Sequence, residues 1–391
     1  MGKVLSVKQT DRKIRQRENS AGNSDSVFIS SGGEVPFWMT NIGEDEIATV
    51  SETLAKKSFS LGVVTAEMEA EIAQQLDVPY VLCTTSGSMA MLMGLMAAGI
   101  GSGDEVIVPT RTFVATAHAA TILGAKVVLV DCLSENTSMD VNQVAEKITS
   151  RTKAIMPVHL NGRTCDMTAI RALAKEHRLA VIEDACQGMF SRGPDGYLGT
   201  LGDCGCFSFG MVKLVSTGQG GAIVTRDKAL YDKLAAIRNH GVADVVSHTY
   251  LMPGHNFKFN DIQASIGLWQ VRRGPEKAAH VNTVYKRYRD AVAKLPFLKI
   301  LPVDVDNGEV ALWVEAISEE RDRLMDFLAA RGIQTRKFIP CVHTAPHFDS
   351  GERFPNSERF NRIGFNLPCG PDLPFEYVDK TIAVLAEYEQ S

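Results

Sequence analysis

From Tyr80 onward, short apolar runs alternate with longer stretches in which apolar residues recur every three to four positions. The runs at 80–83, 105–108, 126–130, 153–157, 179–183, 205–209 and 221–225 have strand length and predict strands. The stretches at 88–98, 114–123, 141–148, 167–177 and 227–238 predict helices. Strands alternating with helices of about 10–15 residues predict a parallel α/β sheet with helices on both faces. Ahead of this block, 43–57 carries acidic and apolar residues at helical spacing, 58–64 reads as a loop, and 66–76 predicts an amphipathic helix. After about residue 275 the texture changes. A long helix is expected at 278–295, short strands near 298–303 and 309–317, and a helix at 320–331. A loop rich in Pro, Cys and His follows at 340–348, and a helix at 375–388 closes the chain. The division expected is a flexible extension at 1–35, a large domain at 36–275 and a smaller α+β domain at 276–391, with a cleft between the two domains as a ligand site.

Composition narrows the function. A chain of 391 residues favours two packed domains. A net charge of −5, with no long basic run past the first 20 residues, argues against nucleic acid or an anionic membrane as partner. No window approaches the roughly 18 uninterrupted apolar residues of a membrane span, and the N-terminus has no secretory h-region. The eight cysteines (83, 132, 165, 186, 204, 206, 341, 369) are scattered, several within apolar runs. Cys204-x-Cys206 lacks the spacing of a zinc half-site, so no metal is expected and the thiols read as reduced, in a cytoplasmic protein. Residues 1–26 are polar, with a basic run at 12–17, and read as mobile. Met1-Gly2 with Ser6 matches an acylation signal in form only, because so short a match arises often by chance.

Four stretches could carry chemistry. In 204–224 a buried strand is followed by a turn with one lysine, Lys213, and by the hairpin Gly218-Gln219-Gly220-Gly221. A lysine held there can be desolvated into a nucleophile; an ordinary surface lysine fits the stretch equally well. Thr85-Ser86-Gly87-Ser88 opens a helix and suits a phosphate, or is a plain cap. Glu183, Asp184 and Gln187 stand at the C-terminal end of a strand, where open α/β sheets bind ligands. A carboxylate there can hold a protonated ring nitrogen, or it caps the next turn. Phe113, after another strand end, lies on a planar cofactor or in the core. His159 and His240, each taken alone, read as structural. Together, a phosphate-ready helix start, a carboxylate at a strand end, a stacking aromatic and a nucleophilic lysine are the parts that hold pyridoxal 5′-phosphate.

The motifs Thr85-Ser-Gly-Ser88, Pro109-x-x-Thr-Phe-Val-Ala-Thr116, Pro157-Val-His-Leu-Asn-Gly162, Glu183-Asp-Ala-Cys-Gln187, Phe207-Ser-Phe-x-x-x-Lys213, Thr217-Gly-Gln-Gly-Gly221, Gly254-His-Asn256 and Leu367-Pro occur in order. In these the chain resembles the DegT/StrS family of sugar aminotransferases, within the fold-type I pyridoxal-phosphate enzymes, over roughly residues 36–391. The resemblance implies a large, mostly parallel seven-stranded sheet domain and a smaller C-terminal α+β domain. It implies that Lys213 carries the cofactor and shuttles the proton, that Asp184 pairs with the pyridinium nitrogen, that Gln187 sits near the ring hydroxyl and that Phe113 stacks on the ring. Gly87, Ser88, Met89 and Ser208 would bind the phosphate. Asn256 would reach the phosphate of a neighbouring subunit, making a homodimer with shared active sites. His159, Lys258 and His343 are the substrate-facing candidates, and Lys258 and Arg336 are candidates for a diphosphate. The activity implied is conversion of a keto sugar, nucleotide-linked, to an amino sugar with L-glutamate as donor. A free keto-cyclitol or keto acid sugar is an alternative acceptor. A sugar dehydratase is a rival that Lys213 opposes, because the related 3-dehydratases carry histidine there. A non-catalytic protein on the same fold is a further rival. Gly210-Met211, Gln219, His255 and Lys258 depart from the family pattern and leave the sugar open.

Overall fold

The computed structural model describes residues 34–57, 59–242 and 249–388. The expected extension at 1–35 lies outside the described residues up to residue 33. Two helices, α1 (Glu44–Ala55) and α2 (Val63–Gln75), precede the alternating block. That block runs β1 (Tyr80–Thr84), α3 (Gly87–Ala97), β2 (Glu105–Pro109), α4 (Ala115–Ile122), β3 (Lys126–Val130), α5 (Val141–Lys147), β4 (Thr152–Ile155), α6 (Met167–His177) and β5 (Ala180–Asp184). A small ribbon of β6 (Arg192–Gly193) and β7 (Gly196–Tyr197) follows. Then come β8 (Cys204–Ser208), β9 (Gly221–Thr225) and α7 (Lys228–Arg238).

Seven strands form one sheet in the order β1-β9-β8-β5-β4-β2-β3. The pairs from β8 through β5, β4 and β2 to β3 are parallel, and β9 is antiparallel to both of its neighbours. Every strand expected in this region is present, with ends displaced by at most two residues. All five residues of β2 are buried, as an unbroken apolar strand covered on both faces should be. Helix α3 is apolar on every side and is buried from Ala90 to Leu95. Gly94 lets it approach the sheet, since a methyl there would lie 3.1 Å from Cys204 Sγ and 3.2 Å from Ile182 Cγ2.

Two helices, α8 (Asp261–Arg272) and α9 (Gly274–Val292), lead to a second sheet. It contains β10 (Lys299–Ile300), β11 (Val314–Ile317), β12 (Arg336–Lys337) and β13 (Gly364–Leu367), antiparallel throughout in the order β10-β11-β13-β12. Helices α10 (Arg321–Ala329), α11 (Pro355–Ile363) and α12 (Phe375–Tyr388) complete it. The strand expected at 309–317 is shorter: a turn at 305–308 precedes it, and the amides of Val310, Ala311 and Trp313 are taken by Ser191 Oγ, Asn282 Oδ1 and Asn161 Oδ1 in place of a neighbouring strand. Asp304 accepts from Asn307 Nδ2, and Gly308 adopts φ +108. Such local bonds compete with a sheet ladder. One apolar cluster runs from Cys83, Phe207 and Ala222 through Leu268 and Tyr285 to Val314 and Phe365, so the two sheets share a core. A buried ion pair between Arg163 and Glu315 also joins them.

Candidate active site

A cleft of about 370 Å³ opens where the C-terminal ends of the large-sheet strands face the small sheet. Ser86 caps α3, its Oγ accepting from the Met89 amide at 3.2 Å. The first amides of a helix have no partner within it, and Gly87 and Ser88 both line the cleft. The backbone is tightly nested here. A methyl on Gly87 would lie 2.7 Å from Cys186 Sγ and 2.9 Å from Ser208 Cβ, and one on Gly221 would lie 2.5 Å from the Gly87 nitrogen. Ser208, at the end of β8, also lines the cleft. This floor of small residues and amides at a helix start is suited to an anion. Met89 is not among the lining residues, and its amide is taken by Ser86.

Asp184 ends β5 and is buried. Its Oδ2 accepts from Thr116 Oγ1 at 2.7 Å, and its Oδ1 accepts from the Cys186 amide at 3.1 Å. Thr116 is fully buried in the first turn of α4, three residues after Phe113. Phe113 lines the cleft yet is 55% exposed. Gln187 accepts from the Asn161 amide at 2.7 Å.

Lys213 lies in the turn between β8 and β9, which is closed by a bond from the Thr217 amide to the Phe209 carbonyl at 2.9 Å. Its Nζ is 5.4 Å from the centre of the Trp313 ring. Burial pushes the amine below the ordinary lysine range, against the charges of Cys186 and Asp184 that push it up. Removing water disfavours the ammonium, so burial wins and the amine is the readier base and nucleophile. The small sheet contributes a wall that the sequence pattern did not announce. Trp313, Glu315 and Asn366 line the cleft together with Arg336, the only one of the four singled out from the sequence.

Besides Met89, four expected residues lie elsewhere. His159 is fully buried, with Nε2 2.8 Å from Glu183 Oε2. Glu183 also accepts from the amides of Gly199, Leu201 and Gly202. That pair fills the space behind β5, so His159 does not reach the cleft as a substrate contact. Lys258 donates to Asn239 Oδ1 at 2.8 Å, outside the cleft lining. His343 is held 2.7 Å from Thr110 Oγ1 and also stands off the lining. Asn256 is exposed and bridges to Asn239, away from the cleft of its own chain.

The donor set fits pyridoxal phosphate: a helix start for an anion, a fixed carboxylate for a ring nitrogen, and a desolvated amine. The profile of the DegT/DnrJ/EryC1/StrS aminotransferase family matches residues 40–386. The chain belongs to this family. The aminotransferase is similar to the GDP-perosamine synthase of Escherichia coli O157:H7, 34% identical over 350 residues that cover 88% of this chain and 95% of that protein. It is similar to the spore coat polysaccharide biosynthesis protein SpsC of Bacillus subtilis (strain 168), 32% identical over 378 residues that cover 90% and 96%. Among solved structures, DesV of S. venezuelae has a TM-score of 0.87 at 30% identity, covering 92% of this chain and 99% of that one. The aminotransferase is a pyridoxal-phosphate enzyme. Among its described residues, no helix is long and apolar enough to cross a membrane.

Proposed function

We propose that this aminotransferase converts a nucleotide-linked keto sugar to the corresponding amino sugar, taking the amine from L-glutamate. The observation that carries this reading is the desolvated Lys213 amine in a cleft shared with Asp184, Gln187 and the start of α3. The names of the similar proteins, a GDP-perosamine synthase and a polysaccharide biosynthesis protein, support a sugar as acceptor.

When bound, pyridoxal phosphate supplies an aldehyde that takes up the amine and a ring that absorbs the electron pair freed at the reacting carbon. The protein does the rest. Gly87, Ser88 and Ser208 hold the phosphate end, Asp184 holds the ring nitrogen, Gln187 holds the ring hydroxyl and Phe113 covers one face. Lys213 takes the proton from Cα of the donor and returns a proton to the carbon that becomes aminated, so one residue serves as base and then acid. In this reading residues 36–275 hold the cofactor and 276–391 cover it.

We read the active form as a homodimer working in the cytoplasm. Ile122, Tyr250 and Leu251 are more than half exposed, which favours a second copy over water as their neighbour. Asn256, exposed on its own chain, then reaches the partner's phosphate. All eight cysteines are free, which supports a reducing compartment.

The test is an absorbance spectrum of the protein with pyridoxal phosphate, before and after L-glutamate. The expected result is a visible band that moves to the near-ultraviolet with glutamate and returns with a nucleotide-linked keto sugar. Lys213→Ala should bind the cofactor without the visible band and should not turn over. A wild-type band that ignores glutamate, or turnover by Lys213→Ala, overturns the reading.

A further inference from the structure

Asn161 belongs to the Pro157–Gly162 motif, yet neither cofactor nor substrate binding has used it. It is fully buried and holds φ +56, ψ 31, a left-handed conformation that asparagine tolerates better than most residues. Its three polar groups run in two directions. Its amide donates to Gln187 Oε1 at 2.7 Å, on the side where the cofactor ring is held. Its side chain grips the backbone of Trp313 from both ends: Oδ1 accepts from the Trp313 amide at 2.5 Å, and Nδ2 donates to the Trp313 carbonyl at 2.8 Å. The loop around it leaves no slack. The His159 amide donates to the Asp184 carbonyl at 3.0 Å, and a methyl on Gly162, at φ +76, would lie 2.0 Å from the Val310 carbonyl oxygen. Trp313 in turn places its ring 5.4 Å from Lys213 Nζ. An unbroken chain of contacts therefore runs from Gln187 through Asn161 and Trp313 to the reacting amine.

We propose that Asn161 is a positioning residue for transamination: it fixes the Trp313 indole as the cover that keeps water from the Lys213 amine, and ties that cover to Gln187. Trp313 affects the amine in two opposed ways. An aromatic face at this distance favours the ammonium. Exclusion of water favours the neutral amine, and the net direction at Lys213 is downward. Loss of the cover should raise the proton affinity of Lys213. Only a primary amide provides the acceptor and the donor that this clamp needs, so aspartate is a poor substitute despite its matching shape.

The inference rests on Lys213 being the cofactor-bearing amine. It is tested on the full-length protein freed of cofactor, by acetic anhydride labelling of Lys213 across pH with the labelled peptide read by mass spectrometry. Wild type should show a midpoint below the ~10.4 of an ordinary lysine. Asn161→Gly suits the left-handed backbone and removes both clamp bonds; Trp313→Ala removes the cover itself. Each should raise the midpoint by about one unit, a roughly tenfold smaller share of free amine at pH 8. The double variant should go no further, and Asn161→Asp should resemble Asn161→Gly. With bound cofactor, each variant should slow the L-glutamate half-reaction about tenfold at unchanged KM for glutamate. An Asn161→Gly midpoint equal to wild type, or a double variant whose shift is the sum of the two, overturns the proposal. A visible band formed by Lys213→Ala would instead overturn the assignment of Lys213, whatever the labelling gives.

Discussion

Replacing Thr116 by valine removes a hydroxyl from a fully buried site and leaves the side-chain volume almost unchanged. The bond lost to the site is the 2.7 Å donation to Asp184 Oδ2, after which the Cys186 amide remains as the backbone donor to that carboxylate; the 3.0 Å contacts of the hydroxyl with Thr112 Oγ1 and the Phe113 carbonyl go with it. A hydrogen bond to a charged group contributes about 1.5–3 kcal/mol, so the variant should be less stable by that amount. The second consequence bears on the cofactor. With one oxygen released, the carboxylate can rotate, and it must be re-ordered when a ring nitrogen binds. Immobilising a side chain costs about 0.5–1.5 kcal/mol, so the dissociation constant for pyridoxal phosphate should rise about 2- to 13-fold. Thr116→Ser keeps the hydroxyl and should bind within about twofold of wild type, since its donor is intact. The assay is a titration with pyridoxal phosphate followed by fluorescence, alongside urea unfolding of all three proteins. If Thr116→Val binds as tightly as wild type, or Thr116→Ser binds as weakly as Thr116→Val, the hydroxyl does not orient Asp184 and the reasoning fails.

Two further outcomes follow from buried charges. Arg163→Met leaves Glu315 without its guanidinium partner inside the joint between the sheets, and should lower stability by about 3–5 kcal/mol in urea unfolding. Glu105 is held at about 2 by hydrogen bonds from Thr149 and Arg151, below its ordinary 4.5. A carboxyl depressed by folding stabilises the protein above pH 4.5, and that contribution is lost as pH falls through about 2. Thermal midpoints measured from pH 5 to pH 2 should therefore fall more steeply in wild type than in Glu105→Gln.

Local pattern was enough for the large sheet because its strands are short, mainly apolar runs set off by helices or by a glycine-rich turn. The large-sheet side of the cleft was legible for a related reason. Asp184 closes β5, and Gly87, Gln187 and Lys213 come within a few residues of the ends of β1, β5 and β8, so the topology brings them to one edge. The opposite wall was hidden. Glu315 and Asn366 belong to strands of four residues whose pairing is long-range, Trp313 directly precedes the first of them, and Val314↔Leu367 joins positions that no local period connects. Helix α11 was also missed, since Pro355-Asn-Ser-Glu-Arg-Phe-Asn-Arg-Ile363 reads as polar and buries only Ser357, Phe360 and Ile363. His159 was placed near substrate because its loop follows a strand end. Its partner, Glu183, lies behind the neighbouring strand, and nothing in the sequence around His159 marks that pairing.

The reversed strand β9 also constrains the order in which the chain can be completed on the ribosome. Among the described strands, β1, at the edge of the sheet, pairs with β9 alone, whose first residue follows Thr84 by about 140 positions. At ~5–20 residues per second the ribosome needs about 7–28 s to cover that interval. During it, Val81, Leu82 and Cys83, all buried in the finished protein, have no sheet to join. The start of α3 after β1 and the lysine turn before β9 are brought together by β9, so they can meet only when the nascent chain reaches Thr225. The large-sheet wall of the cleft is thus completed late in synthesis, and the half-made protein presents an unpaired apolar edge of the kind that chaperones shield.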